Sequence, residues 1–158
     1  MNKTNAMRLL DQAGITYRAV EYVYDENNLG GEHVAEIIGM PEDQVFKTLI
    51  TQGDKTGINV FCIPVNGELD LKKAAIISQN KKIEMLRMNE LLQTTGYIRG
   101  GCSPVGMKKK FPTYIDEAAL LFDEISVSAG VRGCQMILTA NQLIDFIDAV
   151  VCDVVKYT

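Results

Sequence analysis

The stretch VFKTLITQ at residues 45–52, with GDKTG at 53–57 and INVFCIP at 58–64, decides the fold class of this chain. The first and third segments are rich in β-branched and aromatic residues, which favour extended strands. The segment between them contains two glycines and an aspartate, a composition typical of a turn. The sequence therefore predicts a β-hairpin near the middle of the chain.

Short helices and short strands surround this hairpin on both sides. Caps, glycines and apolar periodicity predict a first helix that is capped by Thr4 and ends at about Ala13. Further helices are predicted over 32–38, 71–78, 88–95 and 141–147, and Asn89 and Thr139 are the predicted caps of the last two. Strands are predicted over 17–23, 124–128 and 150–155. A further strand is predicted to follow the turn AGVRG and to run through Leu138. This order excludes a regular βαβ alternation. We therefore expect one domain over residues 1–158 of the α+β class, with a mixed, largely antiparallel β-sheet flanked by helices.

The composition is that of a globular protein. The chain has 158 residues, 47% of them hydrophobic, which is enough to bury one core. The N-terminal sequence MNKTNAMRLLDQAG resembles neither a signal peptide nor a membrane span, so we expect a soluble cytoplasmic protein with no membrane partner. A formal net charge of −4 argues against broad, non-specific nucleic-acid binding, and we expect no DNA partner.

The cysteines and the histidine do not form a familiar catalytic or metal-binding pattern. Cys62, Cys102, Cys134 and Cys152 are widely spaced, with no CxxC pair, and His33 is the one histidine. We therefore expect no metal, no disulfide framework and no cofactor. A lone histidine on a short amphipathic helix is more often structural than catalytic.

Lys47 is the first unusual residue. Strand alternation places Val45, Lys47 and Leu49 on one face of the predicted hairpin. A lysine between apolar neighbours is costly unless its ammonium reaches a partner or a cleft, where it can hold a phosphate or a carbonyl oxygen. The alternative is a lysine on an edge strand that protects the sheet against aggregation. The spacing alone leaves both interpretations open.

A glycine-rich segment is the second unusual feature. Residues 100–106, GGCSPVG, contain three glycines and one proline, and the lysine triplet at 108–110 follows closely. Such a loop can approach a ligand and offer backbone N–H groups to a carbonyl or a phosphate. It can equally be a tight connection between two strands.

Four segments of the chain resemble a known family. They are VFKTL at 45–49, PVNGELDLKK at 64–73, TGYIRGGCSPVGMKKKFPT at 95–113 and ISVSAGVRG at 125–133. In this order and spacing they are similar to the YbaK/EbsC family of free-standing Cys-tRNA(Pro) deacylases, whose fold is shared with the editing domain of bacterial prolyl-tRNA synthetases. The resemblance covers nearly the whole chain and implies the same editing-domain fold.

The resemblance also implies a set of site residues. Lys47 matches the lysine with which the family holds the end of its substrate, and Gly100 belongs to the family's GxxxP loop beside the aminoacyl pocket, so both are expected to be catalytic. The implied substrate-binding residues are Tyr22, Gly101, Cys102, Ser103, Pro104 and Gln135. Gln135 departs from the pattern, because the cysteine-specific branch commonly has an aspartate there.

The function that the resemblance implies is hydrolysis of mischarged tRNA(Pro), with cysteine as the expected amino acid and prolyl-tRNA synthetase as an expected partner. In the family's mechanism the thiol of cysteine attacks its own ester carbonyl, and positioning of that kind can contribute about 7–11 kcal/mol. Two alternatives stay open at this point: deacylation of another small residue such as alanine or serine, and a non-catalytic module that binds tRNA or a synthetase. The intact Lys47 and 100–104 loop favour catalysis.

Overall fold

Ten strands and five α-helices follow one another along residues 2–157, the part of the chain that the computed structural model describes. The helices are α1 (Asn5–Gln12), α2 (Gly31–Ile38), α3 (Leu71–Ile77), α4 (Leu91–Thr95) and α5 (Ala140–Phe146). The strands are β1 (Tyr17–Glu21), β2 (Phe46–Gly53), β3 (Gly57–Pro64), β4 (Glu68–Leu69), β5 (Ile83–Met85), β6 (Thr113–Asp116), β7 (Glu124–Ser128), β8 (Cys134–Thr139), β9 (Val150–Cys152) and β10 (Val155–Lys156).

The predicted hairpin is confirmed and forms the middle of the larger sheet. This sheet has the order β5-β2-β3-β6-β9, in which β5, β2 and β3 are antiparallel and β6 and β9 run parallel to β3. A second sheet, β1-β8-β7, is antiparallel throughout, and β4 pairs with β10. The fold is thus α+β with a mixed, largely antiparallel arrangement, as the sequence predicts.

Strand alternation divides the hairpin between two apolar cores. Phe46 and Ile50 of β2 belong to the main core together with Val127 and Met136 of the three-stranded sheet. Phe61 of β3 belongs to a second core that contains the small residues of α3. Burying one such side chain completely contributes roughly 1.5–3 kcal/mol. The hairpin is therefore fixed on both faces, which makes it a rigid support for side chains at its edge.

Some local predictions are wrong. The segment 88–95 begins with a 3-10 turn at Met88–Glu90, and Asn89 does not cap α4, because Glu90 precedes the helix in an already helical conformation, where no extended cap geometry exists. Thr139 does stand at the start of α5, but its side chain makes no capping hydrogen bond.

The segment 150–155 contains two strands in place of the one predicted. The chain leaves the five-stranded sheet after β9 and pairs with β4 in β10. Val154 between them is held by Asp116, whose Oδ1 accepts its N–H at 3.1 Å. Within residues 2–157 no helix has the length and apolarity needed to cross a membrane.

Candidate functional site

One half of β2 has an open edge. β5 pairs only with Thr51–Gly53, and an isolated bridge joins Val45 to Ser126. The carbonyl of Val45 accepts from Val65 on the β3 side at 2.9 Å, whereas the carbonyl of Ile50 accepts from Leu86 on the opposite side at 2.9 Å. Because backbone groups alternate along a strand, those of Thr48 point to the same side as those of Ile50, into the gap.

A cavity of about 390 Å³ lies at this edge, a volume suited to a small ligand. Its walls are the edge of β2, the end of β5 with the chain that follows, the glycine-rich loop and two polar residues of the three-stranded sheet. Besides residues of α2 and of the segment 29–30 before it, the cavity is lined by residues that include Lys47, Thr48, Met85, Leu86, Met88, Leu91, Arg99, Gly100, Cys102, Ser128 and Gln135. Four of the predicted site residues, Lys47, Gly100, Cys102 and Gln135, therefore meet in one place.

Lys47 is half-buried in this cavity. Burial lowers the pKa of its ammonium, while the more distant carboxylates of Glu32 and Glu68 act in the opposite direction. Among the described residues no carboxylate lies within 4 Å of the Lys47 ammonium. Of the two interpretations of this lysine, the geometry favours a cleft lysine, with a cation available to a ligand.

The glycine-rich loop lines the same cavity with Gly100 and Cys102. Gly100 has φ +84°, a conformation that favours glycine, and an added Cβ there would lie 3.3 Å from Leu29. The N–H of Gly101 donates to the carbonyl of Ile98 at 3.0 Å and is therefore occupied. The N–H groups of Gly100 and Cys102 have no acceptor among residues 2–157, so both can donate to an oxygen of a ligand.

The remaining loop residues predicted to bind substrate lie beneath this surface. Gly101, Ser103 and Pro104 are buried and do not line the cavity. The hydroxyl of Ser103 accepts from the Val105 N–H at 3.2 Å and so shapes the loop from within. A direct contact of these three residues with substrate stays a prediction.

Tyr97 ties the glycine-rich loop to the turn between β7 and β8, and sequence reasoning did not identify it. Its hydroxyl donates to the carbonyl of Val105, and burial raises its pKa to about 12. A Cβ added at Gly130 would lie 2.9 Å from the Tyr97 ring, and one at Gly106 would lie 2.9 Å from its hydroxyl. The sequence signal for the role of Tyr97 was the pair of glycines that make room for it, Gly106 and Gly130. These glycines belong to two distant segments, and their contact with Tyr97 is visible only in the structure.

A polar row on the three-stranded sheet forms the floor of the site. Ser128 and Gln135 are cross-strand partners, and Ser126 is two residues away on the same face. The hydroxyl of Ser126 donates to Oε1 of Gln135 at 2.9 Å, and Ser128 accepts from the N–H of Gly130 at 3.1 Å. The alternation of polar and apolar residues in ISVS was visible in the sequence, but not that the polar side is buried.

Tyr22 lies in a narrow crevice that adjoins the cavity. The crevice also contains His33, Gly100 and Arg132. Burial raises the pKa of the Tyr22 hydroxyl, and hydrogen bonds with Gln135 and with the Gly133 backbone oppose this shift. Tyr22 is thus linked to the polar floor, and Gly100 borders both the crevice and the main cavity.

Comparisons with known proteins identify a family for this chain. A family model described as the aminoacyl-tRNA editing domain matches residues 28–146. A relative from Enterococcus faecalis, provisionally named Cys-tRNA(Pro)/Cys-tRNA(Cys) deacylase EbsC, is 52% identical over 142 residues, which cover 90% of this chain and 87% of the relative. Part of a proline–tRNA ligase from Thermosipho africanus is 28% identical over 92 residues, which are 58% of this chain and 16% of the ligase.

A solved structure supports the same relationship. A protein provisionally described as a trans-editing enzyme for prolyl tRNA synthetase superposes with a TM-score of 0.85 at 25% identity, covering 99% of both chains. The predicted family resemblance is therefore confirmed. This chain belongs to the aminoacyl-tRNA editing domain family, whose members hydrolyse the ester bond of mischarged aminoacyl-tRNA.

Proposed function

We propose that this chain, acting as one editing domain, removes cysteine from mischarged tRNA(Pro). One observation carries the choice of cysteine: the ionisable side chains that line the main cavity are Lys47, Arg99 and Cys102. Lysine and arginine side chains are hydrogen-bond donors and ordinarily offer no acceptor for a proton. Burial raises the pKa of Cys102 to about 12, so its thiol is protonated. A substrate that brings its own nucleophile suits such a cavity best.

The chemistry follows from this arrangement. The thiolate of the bound cysteine attacks its own ester carbonyl, a carbon–sulfur bond forms, and the bond to the ribose oxygen breaks. The proton lost by the thiol goes to the ribose oxygen, and the small cyclic thioester that is released is opened by water. Free thiols have a pKa of about 8.5, so a few per cent of the substrate thiol is ionised near pH 7.

Lys47 and the glycine-rich loop hold the ester for this attack. The amides of Gly100 and Cys102 donate to the carbonyl oxygen as it becomes an oxyanion, and the ammonium of Lys47 stabilises the oxygens at the end of the nucleotide. A donor that is already oriented in a partly dry cavity is worth more than one in water, and removing one such donor typically costs about 10²–10³ in rate. Tyr97 contributes by holding the loop in place.

Gln135 and Tyr22 position the amino acid. Gln135 lines the cavity and Tyr22 lies in the adjoining crevice, where it is hydrogen-bonded with Gln135, so both are suited to the α-amino end of the substrate. The amide of Gln135 is neutral where related enzymes have a carboxylate, and its Oε1 already accepts one hydrogen bond. Discrimination therefore rests on the reactivity of the substrate side chain more than on recognition of the ammonium.

Prolyl-tRNA synthetase is the partner that we propose. The similarity to part of a proline–tRNA ligase and to a trans-editing enzyme supports it. The net charge of −4 predicts weak affinity for tRNA alone, and a synthetase that delivers its mischarged product would compensate. Within residues 2–157 none of the four cysteines forms a disulfide, which suits the reducing cytoplasm, where we place this activity.

The deciding experiment compares initial rates on tRNA(Pro) charged with cysteine, S-methylcysteine, serine or alanine. Cysteine should be preferred by more than the roughly 10- to 200-fold that fit in an apolar pocket can provide, because only cysteine carries a thiol. S-Methylcysteine is the matched control, since it keeps the sulfur and removes the nucleophile. Equal rates on cysteine and alanine would show that water attacks the ester and would make the chain a general deacylase for small residues.

A further inference from the structure

Two arginines flank the mouth of the cavity on neighbouring loops. Arg99 lines the cavity directly before Gly100, and Arg132 lines the adjoining crevice, which Gly100 also borders. The Nε–H of Arg132 donates to the carbonyl of Arg99 at 2.8 Å. The two loops are in van der Waals contact, because a Cβ added at Gly101 would lie 3.2 Å from the backbone of Arg132. The guanidinium group of Arg132 is therefore held against the backbone of Arg99.

Neither arginine is neutralised by a carboxylate in the part of the chain that the structure describes. The ion pairs found there include one arginine, Arg18, which lies 3.7 Å from Glu124. Arg99 is exposed, and with Lys47 and Arg132 it brings three basic side chains to this mouth on a chain with a net charge of −4, while the carboxylates of Glu32 and Glu68 act on Lys47. A cationic cleft on an acidic surface concentrates anions at that cleft.

The chemistry of the substrate places an anion at this position. The ester lies on the ribose of the last nucleotide, and the first backbone phosphate lies on the other side of the same sugar. If the ester carbonyl rests against the Gly100 amide, that phosphate lies within one nucleotide of the loop that carries Arg99. A guanidinium group matches the geometry of a phosphate with two parallel N–H donors.

We propose that Arg99 and Arg132 form a clamp for the backbone phosphates of the 3′-terminal nucleotides of tRNA. The clamp rests on the proposed function, since it assumes that the ester occupies the cavity. It acts on the single-stranded end of the substrate and is a positioning device. It explains how an acidic protein obtains local affinity for RNA without a basic surface over the whole molecule.

A binding experiment tests the clamp without catalysis. A short fluorescent single-stranded RNA that ends in CCA is titrated with wild type, Arg99→Gln and Arg132→Gln at several salt concentrations. Each arginine variant should bind roughly tenfold more weakly. The slope of log K against log salt should fall by about 0.7 for each phosphate contact that is lost.

Lys55→Gln is the charge-matched control. Lys55 is exposed at the hairpin turn, about 20 Å from Lys47 along β2. The Lys55→Gln variant should bind RNA with the same slope of log K against log salt as wild type. An equal loss for Lys55→Gln and Arg99→Gln, or an unchanged slope in both arginine variants, overturns the clamp. Within residues 2–157 the Arg99 side chain donates no hydrogen bond, so Arg99→Gln should fold normally and decides the question even if Arg132→Gln is unstable.

A second comparison separates the clamp from the proposed function. The same variants are assayed on Cys-tRNA(Pro) and on a cysteine ester of adenosine, which has no phosphate. The arginine variants should lose activity on the tRNA and keep it on the nucleoside ester. Equal losses on both esters overturn the clamp, because the arginines would then shape the cavity itself. If wild type hydrolyses neither ester, the proposed function fails, while the RNA titration still decides the clamp.

Discussion

The two ends of β2 differ in how many of their polar groups are already paired within the protein. At the hairpin end the polar groups around Asn80 are paired: Asn80 Oδ1 accepts from the N–H groups of Lys55 and Thr56 at 2.8 and 2.9 Å, and its Nδ2 donates to Thr56 Oγ1 and Ser78 Oγ. Among residues 2–157, the buried Oδ1 of the neighbouring Asn59 has no hydrogen-bond partner. At the other end Lys47 and the edge groups of Thr48 face a cavity. The first end closes the sheet and the second leaves donors and a cation for a substrate. One strand thus carries both the stability and the site.

Lys47→Met should have the largest effect on activity. It removes the cation from the cavity, so the deacylation rate should fall by about a hundredfold or more. The fold should persist and the free energy of unfolding should hold or rise, because a half-buried ammonium is replaced by an apolar chain. Lys55→Met, the same change at the hairpin end, should keep full activity. A folded, fully active Lys47→Met would rule out the proposed role of this lysine.

The stability of wild type should also approach that of Lys47→Met at alkaline pH. Burial lowers the pKa of Lys47 in the folded state, so the unfolded chain binds more protons between that pKa and the ordinary value of 10.5. Stability rises with pH where the unfolded state binds more protons. The cost of the buried ammonium is therefore fully present below the folded pKa and is relieved above it. Urea unfolding of both proteins at pH 7 and at about pH 10 measures this difference, and a gap that widens with pH would contradict it.

Gly100→Val should reduce activity by about tenfold or more, because the side chain would crowd the amides that face the ester. A positive φ costs a residue with a side chain about 1–2 kcal/mol. Gly57→Val is the matched control, since Gly57 has φ +74° at the hairpin turn, with open space around its Cβ position. Both variants should lose similar stability in urea unfolding, and only Gly100→Val should lose activity. A similar loss of activity in both would indicate that strain alone is responsible.

Asn80→Ala should act on stability alone. It leaves the amides of Lys55 and Thr56 without their acceptor, which should cost about 1–3 kcal/mol of unfolding free energy. Because the cavity lies at the other end of β2, the rate per folded molecule should equal that of wild type below the unfolding transition. Loss of activity in the folded variant would mean that the two ends are coupled.

Cys102→Ala should have the smallest effect, with activity within about twofold of wild type. Burial raises the pKa of this thiol to about 12, so at pH 7 the thiolate fraction is about 10⁻⁵. His33→Gln provides a parallel test of the neighbouring crevice and should also remain active. An acyl group trapped on Cys102, detected by mass spectrometry, would replace the substrate-assisted mechanism with a covalent one.

The sequence predicted the hairpin and most helices because their signals are local. β-branched residues around a glycine-containing turn decide the hairpin, and Thr4 and Gly39 mark the ends of helices. The open edge of β2 could not be predicted, since it depends on β5 being only three residues long. The placement of Tyr97 between Gly106 and Gly130 depends on a contact between distant segments. Lys47 was found because a lysine between apolar residues violates a local rule.

The hydrogen bond between Ser126 and Gln135 has a consequence for how substrate preference can diverge. A hydroxyl can donate to an amide oxygen or to a carboxylate, so position 135 can exchange one acceptor for the other while Ser126 keeps a donor for it. β8, the central strand of its sheet, holds the backbone there on both sides. Position 135 is therefore a point at which an ancestral deacylase could gain or lose a negative charge in a single mutational step, and a first choice for laboratory evolution of the amino acid that is removed.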